Sequence, residues 1–412
     1  MNSILEKYEP LVGSASVRQL LLLGKQLSGL RLVHVNSTRE GGGVAEILNW
    51  MLPLMSDLGI EASWEVITGP PRFYEITKSI HNGLQGNRAD LTSKDWALLR
   101  EVNAEWAETH RDAMRDADVV FIHDPQPAAT IEYCRNAKSK WIWRGHIDVS
   151  RPYRPIWNQL RPIVEKYDAS IFSMNAFAQQ LGHPQYLIAP SIDPLSPKNV
   201  DLTPEEIANV GTKIGLDRTR PLLVQVSRFD RFKDPIGVIQ AYKIIRKVIP
   251  VQLVLAGGGA TDDPEGMAVY HEVLEAAQSD DDIHILLLPS DAHTTINALQ
   301  RLADIVIQKS TKEGFGLTVT EAMWKGKPVI GGDTGGIRLQ VVDFHTGFLV
   351  STPEGVAHRV RFLLDHRRRL ERMGEVAREH VRENYLLTRH LREYLTLILA
   401  LRSPEDARVI FV

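Results

Sequence analysis

Short apolar runs rich in branched side chains alternate along this chain with longer segments whose apolar residues recur at helical spacing. Such runs predict strands at residues 30–35, 62–67, 119–122, 141–143, 170–172, 186–189, 222–226, 252–255, 283–288, 305–308 and 328–330. The segments between them predict helices at residues 44–58, 94–115, 155–167, 236–248, 267–277, 295–303 and 317–325, and residues 355–401 are almost wholly helical in pattern. Strands that alternate with helices are typical of βαβ units and parallel sheets.

The alternation is interrupted once, between residues 190 and 221, where prolines cluster around one short helical pattern. This break predicts an α/β chain with two Rossmann-like, doubly wound domains, at 1–195 and 196–385, and a C-terminal helical segment at 386–412. Ligands of doubly wound sheets bind at the carboxyl ends of the strands. The expected active site is therefore a cleft between two domains that face each other.

Composition narrows the class of protein. The 412 residues carry a net charge of −3, which gives no basic surplus for nucleic acid. The apolar runs are too short to span a membrane, and no secretory leader is evident. The one cysteine, Cys134, is expected to lie buried on a helix at 128–137, and it excludes an internal disulfide or a cysteine metal cluster. These features favour a cytoplasmic protein with no nucleic-acid or membrane partner.

Two glutamates near the end of the chain are the most informative pair. Glu313 and Glu321 are separated by seven residues that include Gly314, Phe315 and Gly316, and a helical pattern begins at Leu317. Glycines allow a ligand to approach the backbone closely, and the free amides at a helix start bind anions and hydroxyls. The alternative is a capped amphipathic helix with no ligand.

A basic loop follows the first strand of the second half. It contains Ser227, Arg228 and Lys233 just before a helical pattern. A guanidinium that binds in bidentate fashion and a mobile ammonium suit a diphosphate leaving group. Two surface charges would be the simpler interpretation.

A glycine-rich turn, residues 40–46, follows the first strand of the first half, and its Gly42 and Gly43 could bring backbone amides to a phosphate. The spacing is not that of a dinucleotide fingerprint, and neither is that of residues 257–259. A P-loop is absent as well.

Two polar clusters, residues 123–126 and 144–148, end strands that should face the cleft, and they contain Asp124 and His146. Asp124 could accept hydrogen bonds from an acceptor sugar, and His146 could bind a donor-sugar hydroxyl. The usual His and Cys spacings of metal sites are missing, so no bound metal is expected, and Asp262, Asp263 and residues 280–282 are interpreted as helix caps. A loosely held Mg²⁺ on the diphosphate stays open.

The two glutamates resemble the E-x7-E element, and Arg228 with Lys233 the R-x4-K element, of retaining glycosyltransferases of the glycogen-synthase-like group. Residues 143–148, 168–173, 190–199 and 263–266 resemble the trehalose glycosyltransferring synthases of archaea and bacteria. Gly145 stands where many relatives are expected to have cysteine. The resemblance implies the B-type fold, a C-terminal helix that returns to the first domain, and reversible transfer of glucose from UDP-, ADP- or GDP-glucose to free glucose, which gives α,α-trehalose.

The resemblance also implies roles for individual residues. Arg228 and Lys233, beside Ser227, would bind the diphosphate, and Glu321 the ribose. Glu313 and the amides of residues 314–317 would hold the donor glucose. Gly42 and Gly43 would approach the distal phosphate, while His146 and Asp124 would contact the two sugars. No carboxylate nucleophile can be assigned, so we expect front-face attack.

Several alternatives stay open from the sequence. A retaining trehalose phosphorylase would use phosphate in place of nucleotide, a related enzyme would make another disaccharide, and a nucleotide-sugar 2-epimerase would need no acceptor. A sugar-nucleotide sensor without turnover is disfavoured by Arg228, Lys233, Glu313 and His146 together. The preferred base, the direction of the reaction, the growth temperature of the source and a homodimer are not determined.

Overall fold

A computed structural model describes residues 3–40, 42–258 and 264–402. The chain forms two compact units. The first comprises the chain up to Ser191 together with the chain from Leu387 onward, and the second comprises Ile192–Leu386. The domain limits predicted from the sequence lie within a few residues of these divisions.

Each unit is built on one sheet of six parallel strands. The strands of the first are β1 (Arg31–Asn36), β2 (Glu61–Val66), β3 (Val119–His123), β4 (Lys140–Arg144), β5 (Ala169–Phe172) and β6 (Gln185–Leu187). Those of the second are β7 (Leu222–Val226), β8 (Gln252–Gly258), β9 (Ile283–Leu288), β10 (Ile305–Gln308), β11 (Val329–Gly332) and β12 (Gly347–Val350). The strand orders are β2-β1-β3-β4-β5-β6 and β12-β11-β10-β7-β8-β9. The predicted α/β class with two doubly wound parallel sheets is confirmed.

Helices connect the strands in both units. The first unit contains α1 (Glu9–Val12), α2 (Ser14–Leu27), α3 (Gly43–Asp57), α4 (Pro71–Leu84), α5 (Ser93–Thr109), α6 (Arg111–Asp116), α7 (Ile131–Cys134), α8 (Arg154–Val164) and α17 (Leu387–Arg402). The second contains α9 (Pro204–Ile214), α10 (Pro235–Arg246), α11 (Pro264–Ala277), α12 (His293–Leu302), α13 (Leu317–Trp324), α14 (Ile337–Gln340), α15 (Pro353–Asp365) and α16 (Arg367–Asn384).

The central strands are buried on both faces, which explains their continuous apolar runs. Several details differ from the prediction, and helices α2 and α4 were not among the predicted helices. The expected helix at 94–115 is two helices, because His110 leaves helical geometry and ends α5. The helix expected around Cys134 is a single 3₁₀ turn followed by the four-residue α7, although the cysteine is buried as predicted. Strand β12 was not predicted.

The last helix belongs to the first unit although it follows the second in sequence. Helix α17 packs against α2 and α3, and the Tyr394 ring stacks on Phe121 of β3 at 4.9 Å between centroids. Arg389 donates to the carbonyl oxygens of Ala189 and Pro190, both at 2.9 Å. The helix that the resemblance implied is thus an integral part of the first unit.

Candidate active site

The loops after β7 and β10 lie side by side because these strands are neighbours in the sheet. Lys233, from the first loop, donates through Nζ to Oε2 of Glu313, from the second, at 2.6 Å. Ser310 Oγ donates to the same carboxylate oxygen at 3.2 Å. The Glu313 side chain is 9 % exposed and that of Lys233 18 %. The structure therefore brings two of the predicted residues into one nearly buried ion pair.

Lys233 is held in place by its backbone. Its carbonyl oxygen accepts a hydrogen bond from the buried Gln225 of β7, at 2.8 Å. Asp234, the next residue, has φ +50 and caps α10 by accepting from the amide of Gly237 at 3.0 Å. Its carboxylate also pairs with Lys309, just after β10. These contacts fix the backbone on both sides of Lys233, so the position from which its side chain extends is well defined.

Arg228 differs from Lys233 in exposure. Its side chain is 68 % exposed, and its nearest acidic partner is Asp230, at 3.8 Å. Ser227, which precedes it, donates its amide to Ala256 of β8 at 3.0 Å. The guanidinium therefore stands at the carboxyl end of β7, available to an anion that arrives from solvent.

The segment Gly314–Gly316 is shaped by glycine contacts. Gly316 has φ +87 and immediately precedes α13, which begins at Leu317. A Cβ on Gly336 would lie 2.4 Å from Cα of Phe315, so a side chain there would displace the segment. The buried Gln340 donates to the Phe315 carbonyl at 2.5 Å. Gly336 and Gln340 thus hold the segment Gly314–Gly316 in place. They were not identified from the sequence, because a local sequence pattern does not show which distant residues pack against this segment.

Glu321 lies on α13 with its side chain 1 % exposed. Its Oε2 accepts one long hydrogen bond, from Gln300 at 3.4 Å, and Lys198 Nζ is 3.9 Å from Oε1. Within the described part of the chain, Oε1 accepts no hydrogen bond. A buried carboxylate oxygen that accepts no hydrogen bond lowers the stability of the fold, and a ligand that supplies a donor would remove this cost.

In the first unit, Asp124 follows β3 and His146 follows β4, and these strands are neighbours. Oδ1 of Asp124 accepts from the His146 amide at 2.8 Å. Asp124 has φ +64, a left-handed conformation that is unusual for a residue with a side chain and occurs often at functional sites. Burial raises the pKa of the Asp124 carboxyl to about 7, although the His146 amide and the charge of Arg144 lower it. Asp124 thus positions the His146 loop.

The predicted glycine turn also occupies a strand-to-helix junction. Gly42 has φ +86 and is the N-cap of α3, which begins at Gly43, and a Cβ on Gly42 would meet nothing within 4 Å. Gly41 lies outside the described residues, as do Gly259, Asp262 and Asp263 of the sequence motifs and residues 403–412 of the C-terminal segment. Gly42 and Gly43 thus lie at the start of a helix, where backbone amides can bind an anion, and the anion site stays a prediction.

A buried polar cluster lies next to Asp124 and His146. Its His123 and Arg144 belong to the polar clusters predicted at 123–126 and 144–148, although no role was assigned to them, and its His34 was missed. His34, in the middle of β1, and His123, the last residue of β3, are 0 % and 2 % exposed. Arg144 is fully buried, and among the described residues its guanidinium donates one hydrogen bond, from Nη2 to the Ile188 carbonyl at 2.7 Å. A histidine within the apolar run Arg31–Asn36 was the available signal.

Chemically, the second unit offers cations for phosphate and carboxylates for hydroxyl groups, and the first offers an imidazole, a carboxyl of raised pKa and helix amides. In the described residues, no group of three His, Cys, Asp or Glu side chains could hold a metal ion. None of the described helices is long and apolar enough to cross a membrane.

The two sheets and these strand-end loops define a glycosyltransferase of the B-type fold. Residues 209–380 match the family described as Glycosyl transferases group 1. Residues 34–179 match Trehalose synthase, N-terminal domain, and the chain belongs to the trehalose synthase family. The resemblance recognised in the sequence is thereby confirmed.

Relatives of this family align with nearly the whole chain. The trehalose synthase of Pyrococcus horikoshii is 44 % identical over 96 % of this chain and 95 % of its own length, and that of Rubrobacter xylanophilus is 41 % identical over 95 % and 96 %. A trehalose phosphorylase of Pleurotus pulmonarius is 29 % identical over 92 % of this chain but 58 % of its own length.

Solved structures share the fold at low identity. Sucrose-phosphate synthase of Thermosynechococcus elongatus has a TM-score of 0.72 at 15 % identity, and covers 91 % of this chain and 100 % of its own. An α,α-trehalose-phosphate synthase of Burkholderia xenovorans has a TM-score of 0.71 at 14 % identity, and covers 90 % and 100 %.

Proposed function

We propose that this protein transfers glucose from a nucleoside diphosphate glucose to free glucose, with retention of configuration, and so forms α,α-trehalose in a reversible reaction. The observation that carries the proposal is Oε1 of the buried Glu321, which accepts no hydrogen bond from the described residues and has only the more distant Lys198 ammonium, at 3.9 Å, as a counter-charge. Ribose hydroxyls are the donors that this oxygen lacks. Inorganic phosphate is an anion that a carboxylate repels, so a nucleotide fits this position better than the substrate of a phosphorylase does.

The diphosphate would bind between Arg228 and Lys233. An ammonium has three donors, and Lys233 uses one on Glu313, so the remaining two can meet phosphate oxygens without breaking the pair. The exposed Arg228 adds a bidentate contact. Both charges stabilise the negative charge that develops on the leaving diphosphate.

The donor glucose would bind Glu313 through the carboxylate oxygen that Lys233 does not occupy, together with the amides of Gly314, Phe315, Gly316 and Leu317. On the first unit, Gly42 and Gly43 would approach the distal phosphate. His146 would contact the donor glucose and Asp124 the acceptor.

Retention by double displacement would require a carboxylate nucleophile on the β face of the donor sugar. Neither Glu313 nor Glu321 is proposed for this role, since the first pairs with Lys233 and the second is assigned to ribose. We therefore propose front-face attack, in which the departing phosphate takes the proton of the acceptor hydroxyl. The protein then contributes position and electrostatic stabilisation.

Product analysis by NMR tests the proposal. The protein is incubated with UDP-glucose, ADP-glucose or GDP-glucose, each alone and with free glucose. A new α,α-linked disaccharide that forms only when both substrates are present is the expected result. Consumption or isomerisation of the donor without glucose would instead identify a hydrolase or 2-epimerase, and trehalose formed only from glucose 1-phosphate would identify a phosphorylase.

Three further assignments are part of this proposal. Arg228 and Lys233 supply the cations, so no resident metal is required, and any Mg²⁺ would arrive with the diphosphate. The cytoplasmic location expected from the sequence stays a prediction. A homodimer stays a prediction, which light scattering of the purified protein would test.

A further inference from the structure

Three imidazole rings form a continuous hydrogen-bonded chain in the first unit. Nδ1 of His34 is 3.0 Å from Nε2 of His123, and Nδ1 of His123 is 2.9 Å from Nε2 of His146. Adjacent rings are stacked, with centroids 5.3 and 5.2 Å apart. This histidine chain runs from His34, inside the sheet, to His146, whose ring is partly exposed at the candidate active site.

All three rings are neutral near pH 7. Burial lowers the pKa of His34 to about 3 and that of His123 and His146 well below the ordinary histidine value, and the charge of Arg144 lowers the latter two further. A neutral imidazole carries one N–H and one bare nitrogen. His123 uses both nitrogens within the chain, so it donates to one neighbour and accepts from the other. Only two proton arrangements satisfy both bonds.

The inner end of the chain distinguishes the two arrangements. In one, each ring carries its proton on Nδ1, and Nε2 of His34 is bare. In the other, each proton is on Nε2, and His34 presents an N–H at a buried atom that has no hydrogen-bond partner in the described structure. Buried N–H groups without a partner are rarer than buried acceptors without one. The first arrangement is therefore favoured.

We propose that His34 and His123 are positioning residues that hold His146 in the Nδ1–H tautomer and so present an N–H donor to the active site. None of the described residues accepts from Nδ1 of His146, which leaves that donor for a ligand.

The consequence for catalysis rests on the proposed function. An Nδ1–H group can donate to a sugar oxygen but cannot take a proton from it. His146 would therefore fix the orientation of the donor glucose and could not act as the general base. The proton of the acceptor hydroxyl must go elsewhere, as it does in front-face attack onto the departing phosphate.

NMR of protein labelled with ¹⁵N at its 14 histidines tests the proposal directly, because two- and three-bond couplings to the ring carbons' protons distinguish Nδ1–H from Nε2–H. Spectra of His34→Phe, His123→Phe and His146→Phe assign the three rings. The expected result is Nδ1–H at all three positions in the unsubstituted protein. An Nε2–H or doubly protonated His146 would overturn the proposal.

The His123→Phe variant then tests positioning. It keeps a ring in the stack but removes the bond to His146, so the share of Nδ1–H at His146 should fall, and kcat/KM for glucose transfer should drop about tenfold, the scale of one net hydrogen bond. His110→Phe is the control, because His110 stacks on Trp106 and is not one of the three hydrogen-bonded histidines. The tautomer of His146 and kcat/KM should both stay unchanged in this variant. An unchanged tautomer in His123→Phe would refute positioning. Absence of glucosyl transfer in the unsubstituted protein would refute the proposed function alone, because the tautomers are measured without substrate.

Discussion

Substitution of Glu321 by glutamine separates ligand binding from folding. The carboxylate has two acceptor oxygens, one that accepts from Gln300 and one that accepts no hydrogen bond from the described residues, with Lys198 Nζ 3.9 Å away. A carboxamide is neutral and has one acceptor oxygen in place of two, so its hydrogen bond to a ribose hydroxyl is weaker than that of the carboxylate. A hydrogen bond to a charged group contributes about 2 kcal/mol, so the dissociation constant for UDP or ADP should rise roughly 30-fold.

The same substitution should not weaken the free protein. It removes a buried charge whose Oε1 has no hydrogen bond from the described residues and whose ion pair with the partly exposed Lys198 is long, at 3.9 Å, so the midpoint of thermal unfolding without ligand should stay the same or rise. Titration calorimetry with the nucleoside diphosphate measures the affinity. Inorganic pyrophosphate, which lacks ribose, should bind both forms equally well. The exposed Glu375→Gln, on α16, is a matched control for which neither quantity should change.

A dissociation constant for the nucleotide within twofold of the unsubstituted value would refute the ribose assignment. A parallel loss of pyrophosphate affinity would show that the substitution disturbs the whole loop. Glu321→Ala should weaken nucleotide binding at least as much, since no acceptor remains.

The other predictions concern turnover, packing and pH. Arg228→Ala, Lys233→Ala and Glu313→Ala should each lower the rate of trehalose formation roughly 10²-fold, and a nearly unchanged rate in folded Arg228→Ala would contradict the diphosphate assignment. Lys233→Ala should also destabilise the fold by about 3 kcal/mol in denaturant titration, because Glu313 is left unpaired, whereas the exposed Arg228→Ala should not. Gly336→Ala should lower kcat/KM about tenfold or more by displacing Phe315, while Gly355→Ala, whose Cβ would meet Val350 at 3.5 Å, should be tolerated; equal effects would argue against the packing. Because the Asp124 pKa is raised to about 7, its contribution to stability is complete below about pH 4 and is lost as pH rises to about 7. The unfolding free energy of the unsubstituted protein minus that of Asp124→Asn should therefore fall across this range, and a flat difference would refute a raised pKa.

The architecture could be predicted because strands buried on both faces leave continuous apolar runs. Strands β7, β9 and β10 were predicted with the bounds observed, and each is bordered by turn residues that end the run sharply. The helix predicted at 94–115 kept its periodicity through the break at His110, so the apolar pattern alone could not show the end of α5.

The candidate site was predictable where its residues follow strands in a recognisable spacing, as Arg228, Lys233, Glu313 and Glu321 do. The contact between Lys233 and Glu313 depends on β7 and β10 being neighbours, and strand order is not encoded in local pattern. The same holds for Gly336 and Gln340, which reach Phe315 from a later element, and for His34 and His123, whose rings meet only through the pairing of β1 with β3. The missing information was therefore which strands are neighbours in each sheet and which distant elements pack together.

The position of α17 has a consequence for synthesis of the chain. Residues 192–386 form a contiguous unit that has left the ribosome before the last helix has emerged. The first unit begins the chain but cannot bury Phe121 against Tyr394 until residue 394 is available. The N-terminal half is thus completed last, and a released chain that ends before Leu387 would contain the whole second unit and a first unit whose apolar surface is not covered by α17.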